Sequence, residues 1–305
     1  MLKTSFVIPT KNSADTIEEC LASLMPYREQ GFIEDIVVVD GESTDGTVEI
    51  VKRFPVKLLF EKRKYTPFLE LGWRNAGGDL VIIFDSDAYL GEGFFPQLLD
   101  LFADPEVGVA GCQVRMVVAK NRTSQLVAQW EQFVQEMHFR PRGIQKLARW
   151  VSVRSEAVSP PTGPCHILRR SCLEAVGGYR GLGWNVAVDV SLSRRIMDRG
   201  WKAKWWYDAP VYHYTHATLS SLLRVYGRYG TTVASLHREK EFGARFVDKA
   251  IYVAGHLATP LGGLLMALRW RQPLHLFVYP LAHYNLTRKY VGTLLSKPDP
   301  EKRLP

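Results

Sequence analysis

Residues 80–87 read Leu-Val-Ile-Ile-Phe-Asp-Ser-Asp, five apolar side chains followed by two carboxylates with one residue between them. An unbroken apolar run of this length, bounded by charge, is the pattern of a strand buried on both faces. Thr4–Pro9, Asp35–Asp40 and Val56–Phe60 have the same character. Between these runs, Asp15–Met25, Thr47–Phe54 and Pro67–Asn75 carry helical periodicity. Strand and helix alternating in this way predict an α/β domain, its sheet mostly parallel and covered on both faces.

An open parallel sheet binds ligands outside the carboxyl ends of its strands. The sequence puts Pro9, Thr10 and Asn12 at the end of the first expected strand. Asp40 ends the second, and Asp85 and Asp87 end the fourth. Two acids at a strand end can hold a hard divalent cation such as magnesium or manganese, which shares its oxygen ligands with substrate phosphates. Taken alone they could equally be solvated turn acids. Asp40 could accept a hydrogen bond from a base N–H, whereas Ser43, Thr44 and Asp45 suit turn and helix-capping roles.

The composition excludes several classes. With 305 residues, 46% of them hydrophobic, the chain is neither disordered nor fibrous and can bury one large domain or a domain with an appendage. A net charge of +8 points to anionic company: nucleic acid, phosphate-bearing substrates or an acidic membrane surface. Cys20, Cys112, Cys165 and Cys172 form no CxxC pair, so packed, reduced thiols are expected. The apolar stretch at the start is too short for a signal peptide, which predicts a cytoplasmic catalytic part.

FVIPTKN at 6–12, VVVDGESTDGT at 37–47, AGGDLVIIFDSD at 76–87 and GGYRGLGWNVAVDVSLSRR at 177–195 together resemble the family 2 glycosyltransferases. The resemblance covers about residues 3–216. It implies the GT-A fold, nucleoside contacts from Pro9, Thr10 and Asp40, a metal site at Asp85 and Asp87, and a catalytic base in the later acidic motif. It also implies a nucleotide diphosphate sugar donor carrying uridine or guanosine, and a hydroxyl acceptor, polyprenyl-linked acceptors included, rather than nucleic acid. In the later motif this chain has Val188-Asp189 where family members commonly carry Glu-Asp. Asp189 therefore matches the base, and the Glu is missing.

Displacing a nucleoside diphosphate from an anomeric carbon leaves negative charge on the departing phosphate, which a divalent ion offsets. A single carboxylate accepting the acceptor's proton, with no enzymic nucleophile, predicts inversion. His213, in VYHYTHA, could complete the metal shell, as the resemblance suggests; His216 is the weaker candidate of the two. Arg63, in EKRK, could meet the diphosphate or belong to a solvated basic run. Arg194 and Arg195 could reach it after loop closure or pair with surface acids, and Trp184 could face a sugar ring or pack. Two rival functions are a nucleotidyltransferase, for which PTKNSADT lacks the Gly-rich phosphate loop, and a non-catalytic sugar-nucleotide-binding membrane protein.

The expected catalytic domain is 1–216, followed by a helical region at 217–305. Ala250–Leu268 is uncharged over nineteen residues, and Pro273–Thr287 is a second apolar stretch. His256, Pro260, Gly262 and Gly263 argue against a spanning helix. Lys249, Arg269, Arg271, Arg288 and Lys289 flank both stretches and favour helices lying in a membrane interface, with arginines at the headgroups. The predicted location is the cytoplasmic face of a cell membrane.

Overall fold

The apolar runs become the strands at the centre of the molecule: β1 (Thr4–Thr10), β2 (Ile33–Asp40), β3 (Lys57–Phe60) and β4 (Leu80–Phe84). Each ends within two residues of its expected boundary. The computed structural model describes residues 2–62, 66–117, 124–130, 132, 163–182, 188–207, 209–214, 218–237, 246–257 and 259–296. Adding β6 (Val107–Cys112), β8 (Cys165–Arg169) and β9 (Lys202–Trp206) completes a seven-stranded sheet in the order β3-β2-β1-β4-β8-β6-β9. β1 pairs in parallel with β2 and β4, β2 with β3, and β6 with β9. Only β8 runs against its neighbours, antiparallel to both β4 and β6. The mostly parallel sheet follows the sequence expectation.

All five residues of β4 are buried, as are six of the seven of β1. Full burial of each such apolar side chain is worth about 1.5–3 kcal/mol, so the central strands anchor the core. Helices Ile17–Glu29, Thr47–Val51 and Thr66–Arg74 connect them. Thr47–Val51 is shorter than expected, because the 3-residue-spaced bonds Arg53 N–H to Ile50 O and Phe54 N–H to Val51 O tighten its end into a turn. A second small sheet has the order β5 (Ala88–Leu90), β10 (Val211–Tyr214), β7 (Arg115–Val117). All four cysteines are buried and free.

The chain divides into two compact units. The first holds Met1–Arg115, Pro160–His213 and Pro300–Pro305, the second Met116–Ser159 and Tyr214–Asp299. Between Arg115 and Pro160, the described residues 124–130 and 132 fall in the second unit. In the second unit, helices Leu219–Leu236, Phe246–Leu257, Thr259–Trp270 and His275–Leu295 join a helical stretch at 124–130. The Trp130 indole stacks on Tyr279 at 4.0 Å and donates to Tyr226 Oη at 2.5 Å. Phe133 and Met137, expected to follow Trp130 at helical spacing, lie outside the described residues. The uncharged run 250–268 is split between two twelve-residue helices, with Pro260 in the first turn of the second, where its missing N–H costs nothing. Among the described residues no helix is long and apolar enough to cross a membrane.

Close packing fixes how the helix Thr66–Arg74 lies on the sheet. A Cβ placed on Gly72 would sit 2.2 Å from Val7 Cγ1 of β1. Alanine in a helix interior normally gains about 1 kcal/mol over glycine. Here that gain is outweighed by overpacking of about 2–3 kcal/mol, since a buried valine on a central strand has nowhere to move. Gly72→Ala should lower unfolding stability by about 1–2 kcal/mol, read as a fall in the urea midpoint at unchanged slope. An unchanged or higher midpoint would show that this interface has slack.

Candidate active site

At Phe84 the β4 strand ends, and the chain turns through Asp85-Ser86-Asp87 into β5. The turn is closed by the Ala88 N–H donating to Asp85 O at 3.1 Å, and the Asp85 N–H donates outward to Pro164 O at 2.9 Å. β10 pairs antiparallel with β5 and sets His213 opposite Ala88. This register brings His213 Nε2 to 3.1 Å from Asp87 Oδ1 and 3.9 Å from Asp85 Oδ2. One ligand atom from each of the three side chains lies within 4.8 Å of the others. Burial pushes the Asp85 carboxyl up to about 6; the neighbouring Asp87 adds to the rise and His213 partly offsets it. Two like charges held together in this way favour a cation between them. Two carboxylates and an imidazole suit a hard or borderline divalent ion, so the residues present fit such a group.

A third carboxylate faces the same charges. Asp189 stands in the first turn of helix Val188–Met197, whose Val188, Leu192 and Ile196 pack into the core under the sheet. Its Oδ1 accepts from the Val190 N–H at 2.8 Å and its Oδ2 from the Gly163 N–H at 3.3 Å. Gly163 has φ 114°, a conformation that only glycine adopts without strain. Burial raises the Asp189 carboxyl to about 6 against the lowering effect of those two N–H donors, and its charge in turn helps to raise Asp85. Asp189 is thus both a helix-terminal acid and a carboxylate whose proton affinity is shifted toward neutrality, where a general base works best.

The loops after β1 and β2 form the other wall. Asn12 accepts on Oδ1 from the Thr44 N–H at 2.9 Å, the Ser43 hydroxyl accepts from the Asn12 N–H at 2.8 Å, and Asp45 Oδ2 accepts from the Ala14 N–H at 3.0 Å. Asp45 Oδ1 also accepts from the Thr47 N–H at the start of the short helix, the capping role open to it from sequence. Asp40 is fully buried, and Ser43 donates to both its oxygens, from N–H at 2.9 Å and from Oγ at 2.5 Å. Opposite it in register is Thr10, whose buried Oγ1 has no hydrogen-bond partner. Pro9, beside it, is half-buried. Ser13 and Ser86 touch through their hydroxyls at 2.9 Å and join this wall to the two-acid turn.

The structure thus brings Asp85, Asp87 and His213 together, sets Asp189 within electrostatic reach, and gathers Pro9, Thr10 and Asp40 on two neighbouring strand ends. Arg63, Trp184 and His216 lie outside the described residues. Arg194 pairs with Asp198 at 3.2 Å on the surface, and Arg195 donates to Arg180 O at 2.8 Å. Four contributors were not legible beforehand. Ser13, Ser43 and Ser86 are ordinary loop serines whose meeting depends on the sheet order. Tyr179 is buried with an unpartnered hydroxyl and is pushed upward by burial, then by Asp189 and Glu70.

Comparison with known proteins identifies the fold and the family. Residues 5–177 match the family model of glycosyl transferase family 2. A dolichyl N-acetyl-alpha-D-glucosaminyl phosphate 3-beta-D-2,3-diacetamido-2,3-dideoxy-beta-D-glucuronosyltransferase of Methanococcus voltae is 32% identical over 108 residues, which are 32% of this chain and 33% of that protein. A dolichol-phosphate mannosyltransferase of Pyrococcus furiosus is 30% identical over 105 residues, 32% of this chain and 30% of that protein. The chain therefore spans about a third of the length of these relatives. Among solved structures, the mannosyltransferase PcManGT of Pyrobaculum calidifontis, in complex with GDP-Man and Mn2+, superposes with a TM-score of 0.63 at 22% identity, covering 96% of this chain and 87% of that one. Glucosyl-3-phosphoglycerate synthase of Mycobacterium tuberculosis, with Mn2+, UDP and phosphoglyceric acid, gives 0.56 at 18% identity and 79% of each chain. These likenesses establish the GT-A fold. With its model matched over more than half of the length, the chain belongs to glycosyl transferase family 2.

Proposed function

We propose that the chain is a metal-dependent, inverting glycosyltransferase that moves a sugar from a nucleotide diphosphate donor to a hydroxyl acceptor. The observation that carries the proposal is the convergence of Asp85, Asp87 and His213 at a strand end, with Asp189 as a separate carboxylate within electrostatic reach of them, raised like Asp85 toward neutrality. Asp87 and His213 would hold a manganese or magnesium ion, with Asp85 beside it on the donor. Bound there, the ion would offset charge on the departing diphosphate. Thr10, with its unpartnered hydroxyl, and Pro9 would line the nucleoside pocket. Asp40 would read the base once Ser43 turns away from it, and Arg63 would meet the diphosphate.

Asp189 would take the proton of the incoming hydroxyl. The two backbone donors hold its carboxylate in place, and no second carboxylate is assigned as a nucleophile, which supports inversion. GDP-mannose in one similar structure and UDP in another support a guanosine or uridine donor. The dolichyl relatives support a lipid-linked, polyprenyl-type acceptor, and with it a place of work at a membrane surface, which we take to be the cytoplasmic face.

The metal assignment predicts that chelation abolishes turnover and that Asp87→Ala folds normally but loses metal-dependent donor binding. Calorimetric titration of GDP- or UDP-sugars with and without manganese is the check. Metal-stimulated transfer at the native rate in that variant would refute the site.

The base assignment predicts a pH profile. Since Asp189 is raised to about 6, its basic form dominates only above that pH, and turnover at saturating metal should fall about tenfold per unit below it. Asp189→Asn should lower turnover about 100- to 10,000-fold and leave donor and metal affinity nearly unchanged. Turnover surviving within a few-fold would reduce Asp189 to a helix-terminal acid.

A further inference from the structure

Among the described residues of the second unit, exposed apolar surface is concentrated in the C-terminal helices. Of fifteen large hydrophobic side chains exposed among the described residues, eleven lie between Leu261 and Leu295. On helix Thr259–Trp270 they are Leu261, Leu264, Leu265 and Leu268, spaced to form one stripe, while Gly263 and Met266 of the same helix are buried. On helix His275–Leu295 the stripe runs through Phe277, Leu281, Tyr284, Val291 and Leu295, with Tyr279, Ala282 and Leu286 buried. Met266, Tyr279, Ala282 and Leu286 belong to one cluster, so both helices turn their buried sides into the same core and both stripes lie on its outside.

The charge on this segment has one sign. Residues 249–297 contain no Asp or Glu, and their charged groups are Lys249, Arg269, Arg271, Arg288, Lys289 and Lys297. Arg269 and Arg271 are exposed where the first stripe ends, and Arg288 and Lys289 are exposed along the second helix. A second copy of this surface would bring arginines against arginines with no acid to pair them. Spanning is excluded by length for the first helix, whose twelve residues measure about 18 Å against a hydrocarbon core of about 30 Å. The second helix has length enough but carries His275, His283, Asn285, Arg288 and Lys289, and one side of it is committed to the protein core.

We propose that the hairpin of helices Thr259–Trp270 and His275–Leu295 is the membrane-docking surface of this protein, lying flat in the interface of an anionic lipid leaflet. The leucine and Phe277 side chains enter the headgroup–acyl boundary, and the basic residues meet lipid phosphates. The proposal rests on the membrane location proposed above and names the face that achieves it. It does not depend on the transfer chemistry, because no residue of the hairpin belongs to the Asp85–Asp87–His213–Asp189 group.

The test is co-sedimentation of the full chain with sugar-free vesicles, one set of neutral phosphatidylcholine and one with about one-third phosphatidylglycerol. Wild-type protein should bind the anionic vesicles more tightly, and salt should weaken that difference. Each basic residue near an anionic surface is worth about a fivefold change in partition. Arg269→Gln with Arg271→Gln should therefore lose about 25-fold on anionic vesicles and nothing on neutral ones. Leu261→Ser, Leu268→Ser and Phe277→Ser together should lose binding to both, with helix content and metal-dependent donor hydrolysis unchanged. No binding by the wild-type chain at low salt, or equal binding by the serine variant, would overturn the proposal. So would a dimer at micromolar concentration that the serine variant dissolves. Donor hydrolysis absent from wild type, with vesicle binding intact, would sink the transferase reading and leave the docking surface standing.

Discussion

The antiparallel entry of β8 into an otherwise parallel sheet is the constraint on which the crevice depends. Because β8 runs against β4, the residues leading into β8 lie beside those leaving β4. Pro164 O accepts from the Asp85 N–H, and one residue earlier the Gly163 N–H donates to Asp189. Two successive residues therefore hold the two-acid turn and the helix of the proposed base. A parallel β8 would put its entry at the opposite end of the sheet, and Asp189 would have no such tie. His166 strengthens it, since its Nε2 meets Ser193 Oγ at 2.8 Å on the Asp189 helix. Burial presses the His166 imidazole down to about 3, so this contact is between neutral groups at any physiological pH.

What could be read in advance follows from which forces act locally. β1, β2 and β4 were legible because burial on both faces leaves an unbroken apolar run. Asp85 and Asp87 stood out as a pair because a carboxylate directly after such a run has few local structural reasons to be there; Asp40 drew the same reading, and the structure gives it a local partner in Ser43. The direction of β8 was not, since CHILR is apolar whichever way it points. The engagement of Asp40 by Ser43 was hidden for a similar reason: it is a three-residue loop closure, and its serine looks like any turn former. His213 was a candidate on resemblance alone until the pairing of β10 with β5 set it against Asp87. The packing of 124–130 with the C-terminal helices depends on long-range contacts around Trp130, which no local window contains.

The second unit is built by different means from the first. The helical core is rich in rings with polar tips, and most of these tips find a partner, while His275 Nδ1 and His283 Nε2 are buried without one. Tyr279 Oη donates to Leu126 O at 2.5 Å, His275 Nε2 meets Gln129 Oε1 at 2.7 Å, and His256 and His283 share a contact between their Nδ1 atoms at 2.7 Å. Burial lowers His283 to about 3 and His256 to about 4, so the pair is uncharged near neutrality and one ring donates to the other. Such cores specify geometry more tightly than an all-leucine bundle, because a ring out of place loses its hydrogen bond.

Beneath the two-acid turn lies Cys20, whose Sγ contacts Asp85 O at 3.7 Å. Burial, reinforced by the charges of Asp87 and Asp85, lifts its thiol well above the ordinary range, so it stays protonated. A thiolate at that spot would be a soft donor and would draw zinc or copper in preference to manganese or magnesium. Burial first, and the two carboxylates after it, thus keep this sulfur a neutral packing atom, and the donors left facing one another at the turn are carboxylate oxygens and one imidazole.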